Sequence, residues 1–278
     1  MVGLVLALLL SQADASVDAG VALAPLSLAP DGGLPPRGLR CLPTWYEGTV
    51  KWRADAGWGL DLATGVFVVW HSEGHDGGVL PDGTVDEPEQ VPDLEDVYAT
   101  PYVAGPIVPI DTSDAGKIDD PGRVRVQQLF IATYGGSRDE VQARLEYVPF
   151  FGVRWPFNQR VAPALARVVG RLQDEVKKNK KLLPFLKDIG GTWTWRRIAR
   201  SRNLSAHAWG IAIDINVERS AYWRWTPRGE PLKWQNRIPQ EVVDAFEAEG
   251  FIWGGRWVHY DTMHFEYRPE LLSADCRD

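Results

Sequence analysis

In the stretch Ser205-Ala-His207-Ala-Trp-Gly210-Ile-Ala212-Ile-Asp214 a histidine precedes an aspartate by seven residues, and the aspartate lies between isoleucines. A carboxylate set between Ile213 and Ile215 is costly to bury alone, so it calls for a cationic partner or a metal ion. On a continuous strand an odd interval puts two side chains on opposite faces. A turn at Gly210 brings His207 round to the face that carries Ala212 and Asp214. A second stretch, Asp261-Thr-Met-His264-Phe-Glu266, projects another histidine from between apolar neighbours. If the two stretches lie side by side, two imidazoles and one carboxylate converge. Three such ligands with a fourth position open to water are what a catalytic zinc requires, whereas structural zinc usually takes four protein ligands and often cysteine. Both cysteines, Cys41 and Cys276, lie outside these stretches. Asp261, three residues before His264, then stands beside the metal without being a ligand.

The elements that must hold these residues can be read from periodicity. Residues 211–216 alternate strictly, with Ile211, Ile213 and Ile215 on one side and Ala212, Asp214 and Asn216 on the other. Residues 262–267 put Met263, Phe265 and Tyr267 on one face and His264 with Glu266 on the other. Between them, Pro239 to Glu249 reads as a helix with Pro at its first turn, Gly250 as its cap and Val242, Val243 and Phe246 as its apolar face. Further upstream, Ser137-Arg-Asp-Glu140 is a capping box opening a helix along which Val141, Leu145 and Val148 follow at helical spacing. A longer helix starts near Asn158, with Val161, Leu165, Val168, Leu172 and Val176 as its stripe and a lysine cluster at its end. Helices with antiparallel-looking strands predict an α+β fold, a small antiparallel sheet carrying the metal site between flanking helices.

The 278 residues are 45% hydrophobic, enough for a sizeable core, and the net charge of −7 leaves no excess of cations to collect nucleic-acid phosphates or an anionic membrane. Thirteen tryptophans suit either a groove or an aromatic-rich core. Residues 1–15 read as a signal peptide, a short apolar run followed by small residues at Ala13 and Ala15, and no later segment has the length of a membrane span. The expected location is therefore outside the cytoplasm, in the periplasm or extracellular space of the cell envelope. Export would let Cys41 and Cys276 form a bridge, which in the chain-entropy view contributes on the order of 4–5 kcal/mol. Residues 16–40 read as a linker and 41–118 as an irregular N-terminal extension of strand-like pieces, such as Gly65 to Trp70, separated by turns. The acidic run from Asp82 to Asp96 reads as a solvated loop. His71 and His75, four apart among glycines, read as loop residues more readily than as a second metal pair.

Taken together, S-x-H-x-x-G-x-A-x-D, W-G-G-x-W from Trp253 to Trp257, and D-x-M-H-F-E resemble the zinc D-Ala-D-Ala carboxypeptidase and L-alanyl-D-glutamate endopeptidase family. The specific likeness runs from about Gly191 to Glu270. It implies a fold shared with the hedgehog signalling domain, a catalytic domain over residues 119–278, one zinc ion on His207, Asp214 and His264, and Asp261 as the catalytic base. The family also binds its substrate with an arginine upstream of the first histidine. Thr192-Trp-Thr-Trp-Arg196-Arg197-Ile198-Ala199 resembles its W-R-x-I-A stretch, which points to Arg196, although Arg200-Ser201 stands where relatives have Gly-Thr and Arg197, Arg200 and Arg202 are close by.

The chemistry so implied is hydrolysis of an amide bond in a peptidoglycan stem peptide, with Asp261 moving the water proton to the leaving amine. Arg196 would steady an oxyanion or grip a carboxylate. Ser205 would bond the substrate or cap a turn; Trp253 and Trp257 would wall the cleft or pack. Glu266 would orient a ligand or be a solvated strand residue, and His259 would be structural or stand behind the site. The sequence leaves open which bond is cut and the oligomeric state. The competing class is a cell-envelope binding protein whose zinc only stabilises the fold, and a base beside the metal argues against it.

Overall fold

The computed structural model describes residues 28–71, 92–113, 120–198 and 203–276. The proposed signal peptide, the linker up to residue 27, His75, Arg200, Arg202 and most of the acidic run lie outside the described residues.

Asp214 and His264 lie on a three-stranded antiparallel sheet whose middle strand is the last in sequence. To describe it the strands are numbered from the N-terminus: β1 (Thr49–Arg53), β2 (Gly57–Asp61), β3 (Phe67–Val69), β4 (Leu145–Phe150), β5 (Val153–Asn158), β6 (Ala212–Asp214), β7 (Phe251–Trp253) and β8 (His264–Tyr267). The sheet order is β6-β8-β7, with Asp214 opposite His264, Ile213 opposite Phe265 and Ala212 opposite Glu266. Trp253 pairs with Phe265 on the other side. Because side chains alternate across a strand, this register puts Asp214 and His264 on one face and the Ile213–Phe265 pair on the other. Ile211, Ile213, Ile215 and Phe265 are fully buried.

Among the described residues five α-helices accompany the sheets: α1 (Arg37–Cys41), α2 (Gln127–Tyr134), α3 (Arg138–Ala143), α4 (Ala162–Lys178) and α5 (Gln240–Glu247). Helix α5 starts after Pro239 and lays Val242, Val243 and Phe246 on the back of the sheet, Phe246 stacking on Phe265 at 4.1 Å between ring centroids. Helix α4 buries Leu165, Val168 and Leu172 along the expected stripe and ends in Lys177 and Lys178. The α+β class is the observed one.

Two helix boundaries differ from the periodicity reading. The Ser137 hydroxyl caps α3 by accepting from the Glu140 N–H, while the Glu140 carboxylate accepts the Gly136 N–H rather than that of Ser137, and α3 stops at Ala143. Leu145 and Val148 belong instead to β4, paired with β5 through a turn in which Phe151 and Gly152 both take positive φ, 43° and 99°. Tyr147, Val148 and Phe150 suit a strand, and hairpin pairing outweighs a helical stripe of three positions. For the same reason Asn158 ends β5, and α4 begins four residues later.

The strand-like pieces of the N-terminal segment join as a meander, β1-β2-β3, with Trp52 opposite Trp58. Leu39, Leu42, Tyr46, Leu60 and Leu62 share one hydrophobic cluster with α2, α4 and the metal-site sheet. Cys41 and Cys276 are bonded, joining α1 to the C-terminal end.

Candidate metal centre

His207 sits in a single 3-10 turn, Ala206–Trp209, that ends at Gly210 with φ +67°. A side chain is strained in that left-handed conformation, and a Cβ there would come within 2.8 Å of Leu145 and 3.1 Å of the Asn158 backbone. The chain therefore folds back at Gly210, and His207 returns to the face of β6 that bears Asp214. Its Nε2 lies 3.1 Å from Asp214 Oδ1 and 3.3 Å from His264 Nδ1, and the latter is 3.0 Å from the same carboxylate oxygen.

What the outer ring nitrogens meet decides which lone pairs face inward. His207 Nδ1 donates to the Thr192 carbonyl at 3.0 Å, since a carbonyl only accepts. That leaves Nε2 unprotonated in the neutral ring. His264 Nε2 donates to Glu266 Oε2 at 2.9 Å, leaving Nδ1 towards the centre. Two imidazole lone pairs and a carboxylate oxygen thus crowd one point, an arrangement that a divalent cation stabilises and that matches the donor set of zinc. His207, Asp214 and His264 can hold a metal ion. A proton competes for the same lone pairs: burial would lower the His264 pKa, but its bonds to Asp214 and Glu266 outweigh this and push it up to about 10. For Asp214 the cost of burial is likewise outweighed, by the charge of and hydrogen bonds from the two histidines, and its pKa falls well below the usual range.

Glu266 is fully buried, so it is no solvated strand residue. Arg125 binds it through two nitrogens, Nη2 on Oε2 and Nε on Oε1 at 3.1 Å. Burial alone would raise its pKa, yet the Arg125 charge and the His264 bond hold it well below the normal range. Behind it, Arg268 Nη1 reaches Oε1 at 3.4 Å while Arg268 Nε donates to Glu270 at 2.5 Å. Glu270 also accepts from the Tyr46 hydroxyl at 2.9 Å. A candidate metal ligand, His264, is thus linked by buried polar contacts to the N-terminal segment.

Asp261 is positioned by Gly254, whose carbonyl accepts the Asp261 N–H at 2.9 Å. A Cβ on Gly254 would lie 2.6 Å from the Asp261 carbonyl, so only glycine permits this approach. Among the described residues the Asp261 Oδ1 is buried without a hydrogen-bond partner. Burial, and then the Asp214 charge, push its pKa up to about 6. It shares a small cleft of about 120 Å³ with His207, Asp214 and His264. Arg196 and Ser205 line the same cleft, and the Ser205 N–H donates to the Arg196 carbonyl at 3.1 Å.

Of the two candidate tryptophans, Trp257 lines the cleft, packs against the His264 ring and sends its indole N–H away to the Pro121 carbonyl. Trp253 faces the core, its N–H on the Thr262 carbonyl. His259 is not at the centre; its ring and backbone N–H both bond Asp120. His71 pairs with Glu95 at 2.7 Å. Arg123, Arg125, Tyr222 and Arg224 also line the cleft, and no sequence pattern gave them a role there. Arg123 pairs with Asp120 and lies over the Trp257 ring.

Residues 199–267 match the family model described as D-alanyl-D-alanine carboxypeptidase, of the M15 peptidases. The match spans about a quarter of the chain and includes His207, Asp214, Asp261 and His264; Arg196 lies just before it. No solved structure gives a significant match.

Proposed function

From the match to the D-alanyl-D-alanine carboxypeptidase family we propose that the protein is a zinc-dependent peptidase of the cell envelope that hydrolyses an amide bond in peptidoglycan stem peptides, as a carboxypeptidase or an endopeptidase. The observation that carries this reading is the convergence of His207, Asp214 and His264 next to a carboxylate oxygen, Asp261 Oδ1, that has no hydrogen-bond partner among the described residues. A purely structural metal gives no reason to keep that oxygen buried and unpaired.

His207 Nε2, Asp214 Oδ1 and His264 Nδ1 would hold the ion, which when bound polarises a carbonyl and acidifies water. Asp261 takes the proton of the attacking water and returns it to the leaving amine nitrogen. Its raised pKa suits both halves of that transfer, because a base and its conjugate acid work best near the operating pH. Arg196, at the open side of the cleft, grips a substrate carboxylate or the developing oxyanion. Ser205 contributes a polar edge and Trp257 an apolar wall.

In this reading residues 119–278 form the catalytic unit, preceded by a signal peptide (1–15), a linker (16–40) and an extension (41–118). Among the described residues no helix is long and apolar enough to cross a membrane. The test is incubation of the zinc-loaded protein with defined muropeptides and mass spectrometry of the products. Loss of a terminal residue identifies a carboxypeptidase, and two peptide fragments identify an endopeptidase. Intact substrate in the presence of stoichiometric zinc overturns the enzymatic reading.

A further inference from the structure

The catalytic cleft is small, but it does not end at its own walls. A larger groove of about 600 Å³ lies against it, between residues 217–226 and the loop 227–237. Tyr222 lines both cavities. It pairs with Asp261 through an isolated β-bridge, and the neighbouring Trp223 N–H donates to the Tyr260 carbonyl at 2.9 Å. Tyr260 and Asp261 are therefore adjacent residues facing adjacent cavities, Tyr260 the groove and Asp261 the cleft. The Tyr260 hydroxyl donates to the Lys233 carbonyl at 2.9 Å, which fixes the loop that forms the far wall.

The groove's chemistry restricts what it can hold. Trp225 leaves 53% of its surface exposed there, with Tyr222 edge-on at 5.9 Å between ring centroids. The rest of the lining includes two acidic residues, Glu218 and Glu230, and two basic ones, Lys233 and Arg237. Balanced charge gives no field for a polyanion, and the charged rim does not suit a lipid or an apolar helix. An open aromatic face ringed by donors and acceptors suits an amphipathic ligand with an apolar ring face and a polar perimeter. A volume of this size accommodates a ligand of small-molecule dimensions.

We propose that this groove binds the saccharide of the substrate, a chain of N-acetylated amino sugars whose ring face stacks on Trp225, while the attached peptide enters the cleft at Asp261. The inference rests on the peptidase reading for its substrate but not for its binding test. Saturation-transfer NMR with an N-acetylglucosamine tetramer, run on the metal-free and zinc-loaded protein, should show contact in both. Trp225→Ala should weaken it at least fivefold and Trp225→Phe should retain part of it. Hydrolysis should then fall at least fivefold in Trp225→Ala for a glycan-linked peptide and stay unchanged for the same free peptide.

No saccharide contact, or contact that Trp225→Ala leaves intact, overturns the proposal. An equal loss on free and glycan-linked peptides also overturns it, since the groove would then hold peptide. If the wild-type protein binds the tetramer but cleaves neither substrate, the peptidase reading fails and the saccharide site stands.

Discussion

In the proposed mechanism Asp261 is the residue on which chemistry and stability pull in opposite directions, because its buried carboxylate oxygen, unpaired among the described residues, costs stability and would equip the site. Asp261→Asn keeps the shape and removes the base. We expect hydrolysis to drop by about 10²–10⁴-fold with zinc content unchanged, as measured by turnover assay and elemental analysis. Wild-type turnover in that variant would remove Asp261 from the mechanism. The pH profile carries the same assignment. With its pKa raised to about 6, the group is protonated and inactive below that value and ionised above it. A cation beside it favours the ionised form and lowers the pKa, so kcat/KM should rise with pH along a limb placed at or below about 6, and Asp261→Asn should lack that limb. At the ligand level His264→Ala should abolish stoichiometric zinc binding; full occupancy by elemental analysis would contradict its place in the site.

At the scale of elements, the candidate metal site is the product of one strand register and one turn. The register sets Asp214 opposite His264, and the turn at Gly210 returns His207 to them. Gly210→Ala must adopt a left-handed φ and push on Leu145, so we expect a loss of about 1–3 kcal/mol in chemical denaturation, together with weaker zinc binding because His207 moves. Unchanged zinc affinity would separate the turn from the site. Strand β8 supplies both a candidate ligand, His264, and the Glu266 carboxylate that its ring bonds. Glu266→Gln removes the charge that Arg125 pairs with, while Arg268 keeps Glu270, and it gives the His264 ring a weaker acceptor, so zinc affinity should fall by roughly 10–100-fold. Glu266 has a folded pKa below its unfolded value. Its contribution to stability is thus present above about pH 4.5 and lost as pH falls below it, an acid-side loss that Glu266→Gln should reduce.

On the scale of the whole molecule, the N-terminal segment is tied to the rest by the shared core, by the Tyr46 hydroxyl on Glu270 and by the Cys41–Cys276 bond. That bond closes a loop with a sequence separation of 235. Reduction, or paired replacement by serine, should lower stability by up to about 5 kcal/mol through freeing the unfolded chain. An unchanged denaturation midpoint would mean that the termini hold without it. Much of this protein was determined by local sequence. The alternation of residues 211–216 and 262–267 fixed which side chains share a face, Gly210 fixed the reversal, and the residue types named zinc chemistry, because such rules need only neighbouring residues. Other features come from contacts between distant segments, which no local pattern encodes. Pairing of β4 with β5 overrode the helical spacing of Leu145 and Val148, and packing took Glu266 out of solvent and put Arg125 behind it. His259 was drawn to Asp120 rather than to the metal centre, and the groove beside Asp261 exists only because the 227–237 loop folds back over Tyr260.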